Sequence, residues 1–222
     1  MHFLCLHGVG TNSKILEMQT AAVRYELGDG HTYDYGEGMF PTPIAPEVAS
    51  FVTGNESGLS YFDLKSGSDF LRPVQELEDF ITAEGPYDGV IAFSQGIIIA
   101  ATLIIRNVQE GKPVPFKCAI FFNPRLGPLD IGETSRTGRP VEIDPSTSPG
   151  VMGLPAALIW GDQDPDQVKA QEMVGLFVPE QLSTFVHHGG HEIPGTSAND
   201  AMIKSANAIR RTIDRAIDGM IG

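Results

Sequence analysis

Short apolar runs rich in β-branched and aromatic residues recur along the chain, and between them apolar residues fall at helical spacing. The first run predicts a strand at 2–6, and a helix follows from about Ser13 to Leu27, with Ser13 as N-cap and Gly28 as stop. A second strand is expected near His31 to Tyr35. Residues 36–69, rich in Gly, Pro and Ser, read as a long loop, and a helix from about Ser68 to Glu84 ends at Gly85-Pro86. A strand at 87–93 runs directly into a strongly apolar helix at about 95–109. Further strands fit 116–122, 155–160 and 182–187, with helices near 165–177 and 196–218. Strands alternating with helices predict an α/β fold with a mostly parallel, doubly wound sheet.

Residues 123–153 stand apart, with Pro124, Pro128, Pro140, Pro145 and Pro149 interspersed with Gly127, Gly132, Gly138 and Gly150. A loop this long inside a compact domain is usually functional or disordered, and it is read as a lid-like insertion. With no internal repeat, heptad or charge run, residues 1–222 are read as one domain.

The chemistry begins where the 87–93 strand meets its helix. Ser94 lies between Ala92 and Gly96, in the pattern A-x-S-x-G. A sharp strand-to-helix turn holds such a serine at the edge of a parallel sheet, and small residues on either side let the backbones pass closely. A serine hydroxyl is a poor nucleophile until an imidazole accepts its proton, and that imidazole needs a carboxylate to fix its tautomer. In this strand–turn–helix context the order is Ser, acid, His, each after a different strand. The strand 155–160 runs into Gly161-Asp162-Gln163-Asp164-Pro165-Asp166, and 182–187 leads into His187-His188-Gly189-Gly190-His191. Asp162, Asp164 and Asp166 compete for the acid. Asp164, three past Gly161, is favoured, although turn and cap roles suit Asp equally well. His191, beyond a Gly-Gly turn, is the base, while His187 and His188 finish the strand, one facing in and one out. A metal held by these three histidines is the weaker reading, since the nearby carboxylates already have another explanation. For the oxyanion, the backbone N–H of Gln95 at a helix N-terminus is one donor, and the N–H of Val9 in Leu6-His7-Gly8-Val9-Gly10 is the other.

Composition narrows the partners. Fifteen basic against 28 acidic residues give a net charge of −13, which repels a phosphate backbone and argues against nucleic acid. Cys5 and Cys118 sit in apolar runs and read as buried free thiols. The N-terminus lacks a basic n-region, and no apolar stretch reaches the ~18 residues of a membrane span. The expected location is therefore cytoplasmic, without membrane partners. No cofactor is expected: there is no Walker motif, and Gly8-x-Gly10 lacks the later glycine and acid of a dinucleotide site.

Leu6-His7-Gly8-Val9-Gly10, Phe93-Ser94-Gln95-Gly96, Gly161-x-x-Asp164 and His187-x-Gly189-Gly190-His191-x-x-Pro194 together resemble the FSH-type fungal serine hydrolases, compact α/β-hydrolases. Pro41, Pro43, Pro46 and Tyr61-Phe62-Asp63 agree, and the resemblance covers nearly the whole chain. It implies Ser94 as nucleophile, Asp164 as acid, His191 as base and the Val9 loop as oxyanion donor. Ala92 departs from the family's usual Gly. The resemblance further implies hydrolysis of an acyl ester or thioester, as by stand-alone thioesterases that release polyketide chains to water or to an internal hydroxyl. An acyl carrier protein is then a candidate partner. A general carboxylesterase and a non-catalytic receptor on the same fold are the alternatives. Tyr61, Phe62 and Arg125 are candidate substrate contacts. Met39, Phe40, Phe51, Leu126, Leu129, Ile131, Val151 and Met152 either line an acyl pocket with them or pack beneath the loops. Arg125, Arg136 and Arg139 could meet a phosphopantetheine phosphate or an acidic carrier, or remain solvated.

Overall fold

The computed structural model describes residues 1–52, 57–63 and 69–219, with Ser50 and Phe51 described in their backbone only. Six strands form one parallel sheet: β1 (His2–Leu6), β2 (Thr32–Gly36), β5 (Gly89–Phe93), β6 (Cys118–Phe122), β7 (Ala156–Gly161) and β8 (Leu182–His187). Their order is β2-β1-β5-β6-β7-β8. β3 (Phe40–Thr42) and β4 (Gly58–Ser60) pair antiparallel outside it. The helices are α1 (Ser13–Leu27), α2 (Arg72–Glu84), α3 (Gln95–Gln109), α4 (Ile131–Thr137), α5 (Gln167–Val174) and α6 (Asn199–Asp218).

Successive strand residues point to opposite faces, and both faces are packed. Phe3, Cys5, Ile91, Phe93, Ile120, Phe122 and Ile159 meet the apolar sides of α1 and α6. Leu4, Leu6, Val90, Ala92, Phe121 and Leu158 meet α2, α3 and α5. The central strands β5, β6 and β7 are buried at every position, while the edge strand β2 is half exposed. This is why the central strands read as continuous apolar runs. Cys5 and Cys118 are buried free thiols, and burial pushes the Cys118 pKa up to about 12. No described helix is long and apolar enough to cross a membrane.

Three expectations need correction. Asn12, not Ser13, caps α1: its side chain accepts the Ile15 N–H at 2.8 Å. The 36–69 stretch is not all loop, because it carries β3, β4 and a 3-10 helix at Pro46–Phe51. These pieces are held by backbone bonds to a distant loop: Gly10 N–H to Leu59 O, Leu59 N–H to Thr11 O and Ala45 N–H to Gly10 O. α2 begins at Arg72, and its expected start at Ser68 lies outside the described residues.

Residues 123–153 contain α4, capped by Asp130, and close on themselves through Asp130 N–H to Val141 O and Ile143 N–H to Pro128 O. Leu129 donates its N–H to Thr102 Oγ1 of α3 at 2.8 Å. Leu129, Ile143 and Met152 join the core on that face.

Candidate active site

The strand order reverses direction between β1 and β5. The carboxyl ends of these two strands therefore border the crevice where open α/β sheets bind ligands. At the end of β5 the chain turns abruptly. Ser94 takes φ 53° and ψ −113°, a left-handed conformation that costs a non-glycine residue of order 1–3 kcal/mol. The turn brings α3 so close to β1 that a Cβ on Gly96 would stand 2.5 Å from the Leu6 carbonyl oxygen. Ser94 is buried, and its N–H donates to Phe122 O at 3.0 Å. The Ala92 methyl is accommodated in the packed face beneath α3.

The tips of β7 and β8 supply the partners. His191 Nδ1–H donates to Asp164 Oδ2 at 2.7 Å, and its Nε2 accepts the Ser94 hydroxyl at 2.9 Å. The acceptor-only carboxylate sets this tautomer. Asp164 is 1 % exposed, and its Oδ1 accepts the Asp166 N–H at 2.9 Å. The three competing aspartates are thus separated by partner. Asp164 serves His191, exposed Asp162 meets His188 Nδ1 at 3.1 Å, and Asp166 pairs with Arg125 at 2.8 Å. His187 is buried, which pushes its pKa below the ordinary histidine value, and His188 faces solvent. The three histidines therefore do not converge. Asp164, Asp166 and His191 offer ligand atoms within 4.8 Å of one another. Both ring nitrogens of His191 are already engaged, so a metal there would have to break the hydrogen-bond relay.

The loop after β1 presents the Val9 amide. Gly8 O accepts from His7 Nδ1–H and from Thr11 Oγ1, both at 2.7 Å. In a planar trans peptide the C=O and N–H point in opposite directions. Pinning the Gly8 oxygen inward therefore turns the Val9 N–H outward, and Val9 lines the pocket beside Ser94. His7 Nε2 accepts the Gly38 N–H at 2.9 Å, and burial lowers the His7 pKa, keeping the ring neutral in this double role. Gln95 opens α3 with its N–H at the positive end of the helix dipole. Its side chain holds the β4 end: Oε1 accepts the Tyr61 N–H at 2.9 Å and Nε2 donates to Ser60 Oγ at 3.0 Å.

The pocket around Ser94 is a cleft of about 20 Å³ walled by Val9, Ala45, Val48, Phe93, Arg125 and His191, among others. Of the three arginines considered, only Arg125 reaches it, and Arg136 is paired with Glu133 on α4. Tyr61 and Phe62 do not line this cleft. Both are buried, and the Tyr61 hydroxyl accepts the His7 N–H and donates to Gly36 O. Tyr61 and Met39 line a separate apolar cavity of about 250 Å³ near α2. Leu129 and Met152 are core residues, and the Phe51 side chain lies outside the described residues.

Asn123 has no obvious signal in the sequence beyond its place after a strand. It is fully buried at φ 51°, and its side chain ties two loops together. Nδ2 donates to Glu192 O at 2.6 Å beside His191, and Oδ1 accepts the Gly161 N–H at 3.0 Å ahead of Asp164.

Residues 1–203 match the family described as Serine hydrolase (FSH1). "Esterase FPY3" of Fusarium mangiferae is 36% identical over 99% of this chain and 100% of its own length. Among solved structures, SOBER1 of Arabidopsis thaliana aligns with TM-score 0.55 at 17% identity, over 96% of this chain and 99% of that one. RedJ, a thioesterase from the prodiginine biosynthetic pathway of Streptomyces coelicolor, aligns with TM-score 0.56 at 11% identity, over 94% and 90%. At such identities the two structures carry the fold alone, that of α/β-hydrolase esterases and thioesterases.

Proposed function

The chain belongs to the FSH1 serine hydrolase family and is a hydrolytic enzyme of the esterase class, and from that premise we propose that Ser94, His191 and Asp164 cleave an acyl ester or thioester by way of an acyl-enzyme. The observation that carries the roles is the unbroken relay of Asp164 Oδ2, His191 Nδ1 and Nε2, and Ser94 Oγ, with links of 2.7 and 2.9 Å. His191 Nε2 takes the hydroxyl proton as Oγ attacks the carbonyl carbon. The oxyanion then faces the Val9 and Gln95 amides. Collapse breaks the bond to the leaving thiol or alcohol, which departs with the proton from His191. Water, or a hydroxyl of the acyl chain itself, repeats the attack on the acyl-enzyme and frees Ser94. The donors and the relay act as a unit, so loss of Ser94 is expected to cost about 10⁴–10⁶-fold in kcat.

Release of a polyketide-type chain from an acyl carrier is the finer reading. Its support is Arg125, a cation in the wall of the Ser94 cleft whose charge suits a pantetheine phosphate or an acidic carrier face. Asp166 already pairs with this guanidinium, which weakens its pull on an anion. The net charge of −13 also opposes an acidic carrier. The second reading, a carboxylesterase of small oxygen esters, is favoured by the esterase name of the Fusarium relative. Matched thioesters and oxygen esters, assayed with wild type and Ser94→Ala, separate the two. Ser94-dependent preference for long thioesters supports chain release, and preference for short oxygen esters supports the second reading. Labelling of wild type and Ser94→Ala alike by a serine-directed phosphonate would refute Ser94 as the nucleophile.

A further inference from the structure

The two amides that would face the oxyanion sit on different pieces of the molecule. Gln95 opens α3, and Val9 lies on the loop after β1. Donors of this kind work only when held within about 0.5 Å of their productive places, so their separation has to be fixed by something that touches both. Among the described residues, β4 does. Leu59 exchanges backbone bonds with the loop, donating to Thr11 O at 2.7 Å and accepting the Gly10 N–H at 2.9 Å. The next two residues bond to the Gln95 carboxamide, Tyr61 through its N–H at 2.9 Å and Ser60 through its Oγ at 3.0 Å. Ser60 Oγ also accepts the Phe62 N–H at 3.1 Å and donates to Phe62 O at 2.8 Å.

A second arm runs through the Tyr61 side chain. Its hydroxyl accepts the His7 N–H at 3.0 Å, and its ring stacks on the His7 imidazole, with centroids 4.7 Å apart and planes 28° apart. The stack fixes the plane of a ring whose two nitrogens are both engaged. Nε2 accepts the Gly38 N–H, which leaves the proton on Nδ1, and Nδ1–H donates to Gly8 O, the oxygen whose placement turns the Val9 amide outward. Gly38 can come this close because it has no side chain: a Cβ there would stand 2.7 Å from Ser60 O. Gln95 itself is 6 % exposed, does not line the Ser94 cleft, and carries the one polar side chain between 95 and 101 in α3. A buried carboxamide with both ends bonded to β4 and its neighbour is a grip on that strand, not a contact for substrate.

We infer that Gln95 acts twice: its backbone N–H faces the oxyanion, and its carboxamide grips β4 as a splint that sets the Val9 amide through Tyr61 and His7. The Gln95 carboxamide, Tyr61 and His7 are then positioning groups that never touch the reacting atoms. This role rests on the reading of Ser94 as nucleophile with the Val9 and Gln95 amides as oxyanion donors.

The probe is a p-nitrophenyl alkylphosphonate, whose phosphoryl oxygen takes the place of the oxyanion as Ser94 Oγ displaces p-nitrophenol. The quantities read are the first-order inactivation constant kinact and the half-saturation KI, neither of which depends on the fraction folded. Gln95→Met keeps the backbone donor and the length of the side chain but removes both carboxamide bonds, and Tyr61→Phe keeps the ring stack but removes the hydroxyl. Each should lower kinact by about 10- to 100-fold and leave KI within about threefold. Because both lie on one path, adding Tyr61→Phe to Gln95→Met should cost less than about a further threefold. Ser60→Ala loosens the same grip with Gln95 in place and should show the pattern at smaller size, which serves if Gln95→Met does not fold. Ser94-dependent labelling with kinact unchanged in these variants, with losses confined to KI, or with factors that multiply in the double variant overturns the splint alone. Absence of labelling in wild type, or equal labelling of Ser94→Ala, overturns the nucleophile reading and the splint with it.

Discussion

Replacing Asn123 with alanine removes both bonds by which one side chain joins the acid loop to the base loop. The Gly161 N–H and the Glu192 carbonyl lose partners at 3.0 and 2.6 Å. Leaving the buried Gly161 N–H unpaired costs about 1–3 kcal/mol, and the part-buried Glu192 carbonyl, which water can reach, adds less. Alanine must also adopt φ 51°, which asparagine tolerates and which costs another ~1–2 kcal/mol. Asn123→Gly loses the same two bonds without the backbone penalty. Urea unfolding should therefore rank wild type above Asn123→Gly above Asn123→Ala, with about 1 kcal/mol or more between the two variants. Because the clamp acts on Asp164 and His191 only through their loops, kcat should fall more than KM rises. Equal stability of the two variants would refute the backbone argument, and a total loss under about 1 kcal/mol would refute the clamp.

The aspartates can be separated by the same logic. Asp164→Asn should lower kcat by about 10⁴-fold through loss of the imidazole tautomer, whereas Asp162→Asn, which touches only exposed His188, should change it less than about threefold. Gly161→Ala would drive a Cβ into the Gly189 and Gly190 carbonyl oxygens, so activity should collapse and thermal stability fall as the base loop is pushed off β7. His7 and His187 are both buried with pKa values lowered by desolvation. The unfolded chain binds protons at these two sites below about pH 6.5 while the folded chain resists them. Their contribution is thus fully present above that pH and lost as pH falls, so thermal unfolding between pH 5 and 6.5 should show stability rising with pH, with a shallower slope in His187→Asn.

The proposed triad was legible because its chemistry admits few residue types, and they had to fall at the ends of strands that the apolar runs already marked. Ser94, the Gly161–Asp166 turn and His191 each follow a fully or partly buried strand in the required order. Asp164 was already favoured by its place three past Gly161, and packing adds the separation by partner: Asp164 is buried against His191, and Asp162 meets exposed His188. β3 and β4 were hidden because three-residue strands carry no periodicity, and theirs exist through bonds to Gly10 and Thr11, far away in the chain. Tyr61 and Phe62 read as pocket residues because aromatic loop positions do not announce which side they bury. Tyr61 turned inward because its hydroxyl is needed between His7 and Gly36. Asn123 gave no local signal at all, since it acquires its meaning from elements that meet only after folding.

The left-handed backbone of Ser94 sets stability against activity at a single residue. A glycine would sit there without strain, so Ser94→Gly should make a protein harder to unfold and unable to turn over substrate. Selection for thermal resistance alone would therefore tend to erase the proposed nucleophile first. Any consensus or ancestral stabilisation of this enzyme has to hold position 94 fixed and look for its gains in the exposed helices.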